Sequence, residues 1–193
     1  MMDTRKEQKI EQYLTLLEKW NKSINLTAIR DRDEMYALHI QDSLTVLPYV
    51  EEQLDLVDIG SGAGLPGIPL AIFCPNKIIA LVEPNQKKAT FLKHVVMTLQ
   101  LENVEVINQR AQDWRSDKLF TSIITRAFTD LKDMVMVSEH LLSKGGKWFA
   151  MKGVWPYDEI EKLSQGIMTE VVSLKIPNRK EERHLVIMQR AIE

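Results

Sequence analysis

Val57-Asp58-Ile59-Gly60-Ser61-Gly62-Ala63-Gly64-Leu65-Pro66-Gly67 decides the fold of this 193-residue chain. The segment leaves an apolar run, carries three alternate glycines and opens a short helical stretch. Glycines at that spacing let a backbone turn sharply and let a ligand approach with no Cβ in the way. Four of the chain's eight glycines fall here, so a bare strand-to-helix turn explains the segment poorly and a nucleotide-like ligand explains it well.

Outward from this loop the pattern is regular. Apolar runs at residues 54–59, 77–82, 104–108, 121–125 and 147–151 read as strands, and helix-period apolar residues fill 86–99 and 131–142. Strands alternating with helices of that length predict βαβ units and a mostly parallel sheet with helices on both faces. Asn85 is placed to cap a helix, and Gly145-Gly146 to turn the chain after one. Beyond residue 151 comes a helix near 158–163, then β-like runs at 170–176 and 184–189 joined by a polar stretch, which predicts an antiparallel hairpin at the sheet edge. The first fifty residues differ. Ile10, Tyr13, Leu14, Leu17 and Trp20 fall near helical spacing, residues 21–27 interrupt the period, and a second helical stretch over 33–47 is stopped by Pro48. The expected architecture is an α/β core over 51–193 under a helical cap over 1–50, together one globular unit with no internal repeat.

Composition narrows the function. Lys and Arg number 25 against 27 Asp and Glu, a formal charge of −2, so bulk charge gives no attraction to a polyanion, and nucleic-acid binding needs a local patch. Cys74 is the single cysteine. It excludes an intramolecular disulfide and zinc frameworks of the C-x-x-C type, and points to a reducing cytoplasm with no metal. The charged start, residues 1–9, has no apolar stretch after it, and the longest apolar runs, such as 78–82, are far below the roughly 20 residues that cross a bilayer. A soluble chain with no membrane span is expected.

Two cofactors compete for the loop. Gly62 to Gly67 satisfies the G-x-G-x-x-G dinucleotide pattern, but Pro66 and Pro69 crowd the turn and the helical run after it is short. The alternative, Asp58-x-Gly60-x-Gly62-x-Gly64, resembles motif I of class I S-adenosylmethionine methyltransferases and accounts for Asp58 as well. Glu83 ends the second strand 23 residues after Gly60, where an acidic side chain accepts hydrogen bonds from ribose hydroxyls. Arg110-Ala111-Gln112-Asp113-Trp114 follows the third strand, where that fold sets a backbone amide and a polar side chain against adenine. After the fourth strand, enzymes acting on exocyclic amines carry an acidic or amide residue before Pro-Pro-aromatic; here Thr125-Arg126-Ala127-Phe128 stands instead. Methylation at pyrimidine C5 needs a cysteine nucleophile, and Cys74 lies past the helical run that follows the loop. What fits is an acceptor with a free lone pair, such as an aromatic ring nitrogen, for which positioning supplies most of the catalysis with no dedicated base.

Several blocks together are similar to one family along essentially the whole chain. They are Lys19-Trp20-Asn21 with Asn25-Leu26-Thr27-Ala28-Ile29, His39 with Asp42-Ser43-Leu44, Asp58 through Pro69, Lys87-Lys88 with Phe91-Leu92, Arg126-Ala127-Phe128, Met151-Lys152-Gly153 and Arg183-His184-Leu185. The chain resembles the ribosomal RNA small subunit methyltransferase G family, also called glucose-inhibited division protein B. That resemblance implies methyl transfer from S-adenosylmethionine to N7 of one guanine in 16S ribosomal RNA of the small subunit, and guanine N7 is a ring nitrogen of the kind just argued for. It implies cofactor contacts at Gly60 and Leu65 of the glycine loop, at Ala111 and Gln112, and at Arg126, with Glu83 on the ribose and Arg126 also positioning the reactants; Ser61 and Gly62, within the same loop, are candidate cofactor contacts beside them. A salt bridge to Asp58 or Asp130 is the competing role for Arg126.

Lys152, Arg183, Lys87 and Lys88 are the leading candidate phosphate contacts, with Arg179 and Lys180 behind them. The block of His39 with Asp42-Ser43-Leu44, and Asn25, are candidates for the RNA side of the cofactor mouth, with a buried hydrogen-bonded role competing for His39; Trp20 and Phe128 are candidates for base stacking, Trp20 competing with a core role. A monomer is expected. The competing readings are a nicotinamide-dependent oxidoreductase, a non-catalytic RNA-binding module on the same fold, and a methyltransferase for a small molecule.

Overall fold

Strand residues alternate between two faces, and in this chain both faces are apolar, so each strand feeds two cores. Leu56, Ile79, Leu81, Phe149 and Met151 face one side; Val57, Ile59, Ala80, Val82, Trp148 and Ala150 face the other. Runs apolar on both faces belong to a sheet covered by helices on both sides, and that is the arrangement in the computed structural model, which describes residues 4–126, 128 and 130–191.

Seven strands form the sheet: β1 Asp55–Ile59, β2 Ile78–Val82, β3 Val104–Ile107, β4 Phe120–Thr125, β5 Leu142–Lys152, β6 Ile167–Leu174 and β7 Arg183–Arg190. Their order is β3-β2-β1-β4-β5-β7-β6. β1 to β5 pair in parallel, and β7 is antiparallel to both β5 and β6. The order reverses between β1 and β4, and in open α/β sheets ligands sit at the carboxyl ends of the strands at such a reversal. The predicted hairpin is present, with β6 starting earlier than expected.

α1 covers Thr4–Asn21, and its Ile10, Tyr13, Leu14 and Leu17 are buried in the same core as Leu56, Leu65, Leu81 and Phe91. The second helical stretch is more broken than its period suggests. α2, Arg32–Met35, runs into a π-helical turn at Tyr36–Gln41, then α3, Asp42–Leu44. Pro48 does not stop this stretch. The interruption falls at Thr45 and Val46, and Pro48 lies in the first turn of α4, Leu47–Val50, where its missing N–H has no helical partner to lose.

α5, Gly67–Phe73, and α6, Gln86–Thr98, follow β1 and β2 and join the core that holds α1. Asn85 caps α6 as expected, its side chain accepting from the amides of Lys87 and Lys88 at 3.0 and 3.2 Å. α7, Leu131–Ser138, and α8, Tyr157–Glu161, pack on the opposite face. Gly145-Gly146 departs from its expected role as a turn between helix and strand. Both glycines lie inside β5, at an irregularity where Phe120 pairs with Leu142 but Ser122 already pairs with Lys147. Extra residues in one strand of a pair make such a bulge.

Candidate active site at the carboxyl edge of the sheet

The glycine loop crosses the carboxyl end of β1. Gly62 and Gly64 sit at φ +57° and +94°, the left-handed region that costs a side-chain-bearing residue. They differ in what surrounds them. A Cβ on Gly64 would come within 2.5 Å of Ile68 Cγ1 and 2.9 Å of Leu92, whereas a Cβ on Gly62 would meet only the Gly60 carbonyl at 3.8 Å. Gly64 is therefore required by packing, and Gly62 keeps space open on the loop.

Two buried carboxylates hold the loop in place. Asp58 Oδ2 accepts from the Gly67 amide at 2.8 Å. Its Oδ1 is buried with no hydrogen-bond partner among the described residues, and burial pushes the carboxyl up to about pH 7 against the pull of the Gly67 amide and Arg126. Glu83, also buried, accepts from the Gly62 amide through Oε2 and the Asn85 amide through Oε1, both at 2.8 Å. Each of those oxygens keeps a second lone pair, so Glu83 can bind a diol while it pins the loop. Ser61 Oγ is spent inside the loop, donating to the Asp58 carbonyl at 2.8 Å. Leu65 is buried in the core, and so is Ala111 in the turn after β3, while the Gln112 side chain is exposed. Leu65 and Ala111 can therefore meet a ligand through their main chains, and Gln112 through its side chain as well. An adenosyl cofactor fits this set: an unpartnered buried acidic oxygen, an open loop at Gly62 and a buried acid at the end of β2.

The cap reaches the loop as well. Tyr13 donates its hydroxyl to the Ala63 carbonyl at 2.7 Å, and burial raises its pKa far enough to keep it a donor. Period alone assigns Tyr13 to an apolar helix face; the hydroxyl at a core position was the available signal of a polar target beneath it.

Beside the loop opens a cavity of about 330 Å³. Arg126 enters it from the end of β4, Met151, Lys152 and Gly153 from the end of β5, Arg183 from the start of β7, and Ile29, Leu38, His39 and Asp42 from the cap. Asp42, which the sequence offered only as part of the block around His39, organises this cavity. Its carboxylate, almost wholly buried, meets Arg183 Nε at 3.1 Å and Arg126 Nη1 at 3.5 Å. This settles the ion pair of Arg126 on Asp42, and not on Asp58 or Asp130; Asp130 is committed to capping α7 through the Lys132 and Asp133 amides. Burial raises the Asp42 pKa in spite of both arginines, so the pair of cations only partly offsets desolvation. A charged residue inside an apolar-period helix was the legible sign of it.

His39 Nε2 lies 2.8 Å from Thr27 Oγ1, and its Nδ1 faces the Leu38 carbonyl and Arg126. Burial, then the Arg126 charge, lowers its pKa to about 4, so the ring is neutral near pH 7 and a weak base. Lys152 Nζ binds Glu159 of α8 at 2.7 Å and donates to the Phe128 carbonyl at 3.1 Å. The Phe128 ring is 3.8 Å from where a Cβ on Gly60 would stand. Phe128 thus bridges glycine loop and cavity; Ala127, between it and Arg126, lies outside the described residues.

The other candidates lie away from the cavity. Lys87 and Lys88 occupy the first turn of α6. Arg179 pairs with Glu34 and Glu181, Lys180 and Asn25 are exposed outside the cavity lining, and Trp20 packs against Phe91 and His94. Among the described residues no cluster of His, Cys, Asp and Glu could hold a metal, and no helix is long and apolar enough to cross a membrane.

Comparison with known proteins adds to this geometry. The family model described as rRNA small subunit methyltransferase G matches residues 6–186. A protein of Nitrosospira multiformis named ribosomal RNA small subunit methyltransferase G is 46% identical, the match covering 93% of this chain and 87% of that one. One of the same name from Chromobacterium violaceum is 43% identical over 93% of this chain and 86% of its own. Among solved structures, the O-methyltransferase TomG of Streptomyces achromogenes in complex with SAM has a TM-score of 0.64 at 13% identity, covering 93% of this chain and 90% of that one; at that identity the likeness concerns the fold alone.

Proposed function

Because this chain belongs to the rRNA small subunit methyltransferase G family, we propose that it transfers a methyl group from S-adenosylmethionine to N7 of one guanine in 16S ribosomal RNA. The observation that carries the reading is the meeting of two sites at one sheet edge: the glycine loop with Glu83 and Asp58, and the cation-lined cavity joined to it through Arg126 and Phe128. When bound, S-adenosylmethionine supplies a methyl group activated on a sulfonium. Gly60, Ser61, Gly62 and Leu65 form the loop that receives it, Glu83 accepts from its ribose, and Ala111 and Gln112 flank its adenine. The nicotinamide reading loses its structural basis, since α5 runs only seven residues after the loop, short for the pyrophosphate-facing helix of a dinucleotide site.

The cavity supports a ring-nitrogen acceptor because, among the described residues that line it, no side chain is set up as a general base. His39 is neutral, with its affinity for protons far down, and the Asp42 carboxylate is bound by two arginines. Guanine N7 needs no deprotonation before it attacks, so orientation is the main task. Arg126, fixed by Asp42 and the Leu38 carbonyl at 3.2 Å, positions the reactants, and Arg183 and Lys152 receive RNA phosphates. Lys87 and Lys88 extend that footprint along the same edge. The working unit is a monomer, and its substrate is a cytoplasmic one. Cap and core act as one globular unit, since α1 shares the core of the sheet.

The test is to map N7-methylguanine along 16S ribosomal RNA from cells with and without the protein. One position should lose its methyl group in its absence and regain it with the purified chain and S-adenosylmethionine. An unchanged map would refute the reading.

A further inference from the structure

The segment that follows the cavity wall is unlike the rest of the surface. Gly153 lines the cavity, and directly after it Val154, Trp155 and Tyr157 are 72%, 37% and 68% exposed. Of the aromatic side chains among the described residues, Trp155 and Tyr157 alone are exposed and not buried or half-buried. Their rings lie 5.6 Å apart between centroids, tilted by 34°. Trp155 also stands edge-on to the ring of His184 at 5.3 Å and 75°, and His184 is the neighbour of Arg183 in the cavity wall. The segment is held firmly: Pro156 between the two aromatics is buried, and the Lys152 to Glu159 ion pair ties the end of β5 to α8.

A contiguous exposed apolar patch on a soluble chain marks a contact surface. This one lies at the rim of a cavity where three cations, Arg126, Lys152 and Arg183, stand against two paired acids, Asp42 and Glu159, an excess of positive charge that favours an anionic partner. A base that must enter that cavity has to leave its stack, which bares one face of its neighbour. Aromatic side chains beside cations are how proteins cover such faces. Resting on the RNA reading above, the geometry points to Trp155, backed by Tyr157, as a stacking shelf for the nucleotide next to the target guanine. The shelf holds the RNA in register while the target base is out; it does not touch the methyl group.

The test compares Trp155→Ala, Trp155→Phe and Trp155→Leu with the unaltered protein, measuring methyl transfer to small ribosomal subunits, binding to protein-free 16S ribosomal RNA and binding of S-adenosylhomocysteine. Stacking on one base predicts roughly a tenfold weaker RNA interaction for Trp155→Ala. The loss should fall on KM for RNA more than on kcat, recover largely with Phe and not with Leu, and leave the salt dependence of RNA binding intact because no phosphate contact is removed. S-adenosylhomocysteine affinity should not move. Equal behaviour of Phe and Leu would overturn stacking. A defect on assembled subunits with none on protein-free RNA would assign the shelf to a ribosomal protein and overturn it too. If the unaltered protein methylates no ribosomal RNA, the functional reading fails and the shelf with it; if it does, and Trp155→Ala matches it throughout, the shelf alone fails.

Discussion

Asp58→Asn should make the cofactor-free protein more stable above neutral pH and remove most of one pH dependence. The Asp58 carboxyl is fully buried, one oxygen bonded to the Gly67 amide and the other unpartnered. Burial raises its pKa from 3.8 to about 7. An acid whose folded pKa lies above its unfolded one holds its proton longer in the folded state, so its contribution is fully present below about pH 4 and is lost as pH rises through 7. The interval of about 3 pH units corresponds to something on the order of 4 kcal/mol, of which about 2 kcal/mol falls between pH 5 and pH 7. Asparagine keeps an acceptor for the Gly67 amide and cannot ionise. Urea unfolding at a series of pH values from 5 to 8 should therefore show the variant gaining stability relative to the unaltered protein as pH rises, the two diverging most at pH 8; the opposite contribution of His39, whose pKa is lowered, is common to both and cancels in the difference. Parallel curves would refute the argument that Asp58 is a buried acid which the empty fold ionises reluctantly.

The two loop glycines should separate folding from binding. Gly64→Ala, which drives a Cβ into Ile68 and Leu92, should cost about 3 kcal/mol in urea unfolding; Gly62→Val, with open space around it, should fold yet lose S-adenosylmethionine binding in calorimetry. Glu83→Ala should weaken that binding by about 1–3 kcal/mol, and a shift well below this range would reduce Glu83 to a loop brace. Asp42→Asn should leave thermal stability close to that of the unaltered chain, because burial already opposes its charge, while slowing methyl transfer at least tenfold as Arg126 and Arg183 lose their common anchor; full activity would remove Asp42 from the site. Arg126→Lys keeps charge but loses the planar fork, and should slow single-turnover transfer strongly with no new ionisation between pH 6 and 8; a new ionisation there would put proton transfer into the mechanism.

The parts of this protein that period and spacing report were legible in its sequence. Strands apolar on both faces, the glycine loop after β1, Glu83 at the end of β2 and the Asn85 cap are local features, and local chemistry fixes them. Arg126, Lys152 and Arg183 could be named singly, from the blocks that carry the family resemblance. Their convergence on one cavity could not, because it depends on β4, β5 and β7 lying side by side, and on a cap folding over them. Asp42 shows why: its partners are 84 and 141 positions along the chain, a distance that no window on the sequence spans. Pro48 and Gly145-Gly146 mislead for a related reason. Each residue type marks a break, but proline also opens helices and glycine also fills bulges, and only the neighbouring chain decides between these uses.

The hydroxyl of Tyr13 on the carbonyl of Ala63, and the carboxylate of Asp42 between two arginines, have a consequence for engineering. They sew the amino-terminal quarter of the chain to the carboxyl edge of the sheet at two points, one at the glycine loop and one at the cavity. A chimera that exchanges residues 1–50 with those of a relative would keep its cofactor grip only if the incoming helix restores a hydroxyl over Ala63, and its hold on RNA only if it restores an acid opposite Arg126 and Arg183. Changes of target by recombination at this boundary are thereby confined to donors that carry both stitches.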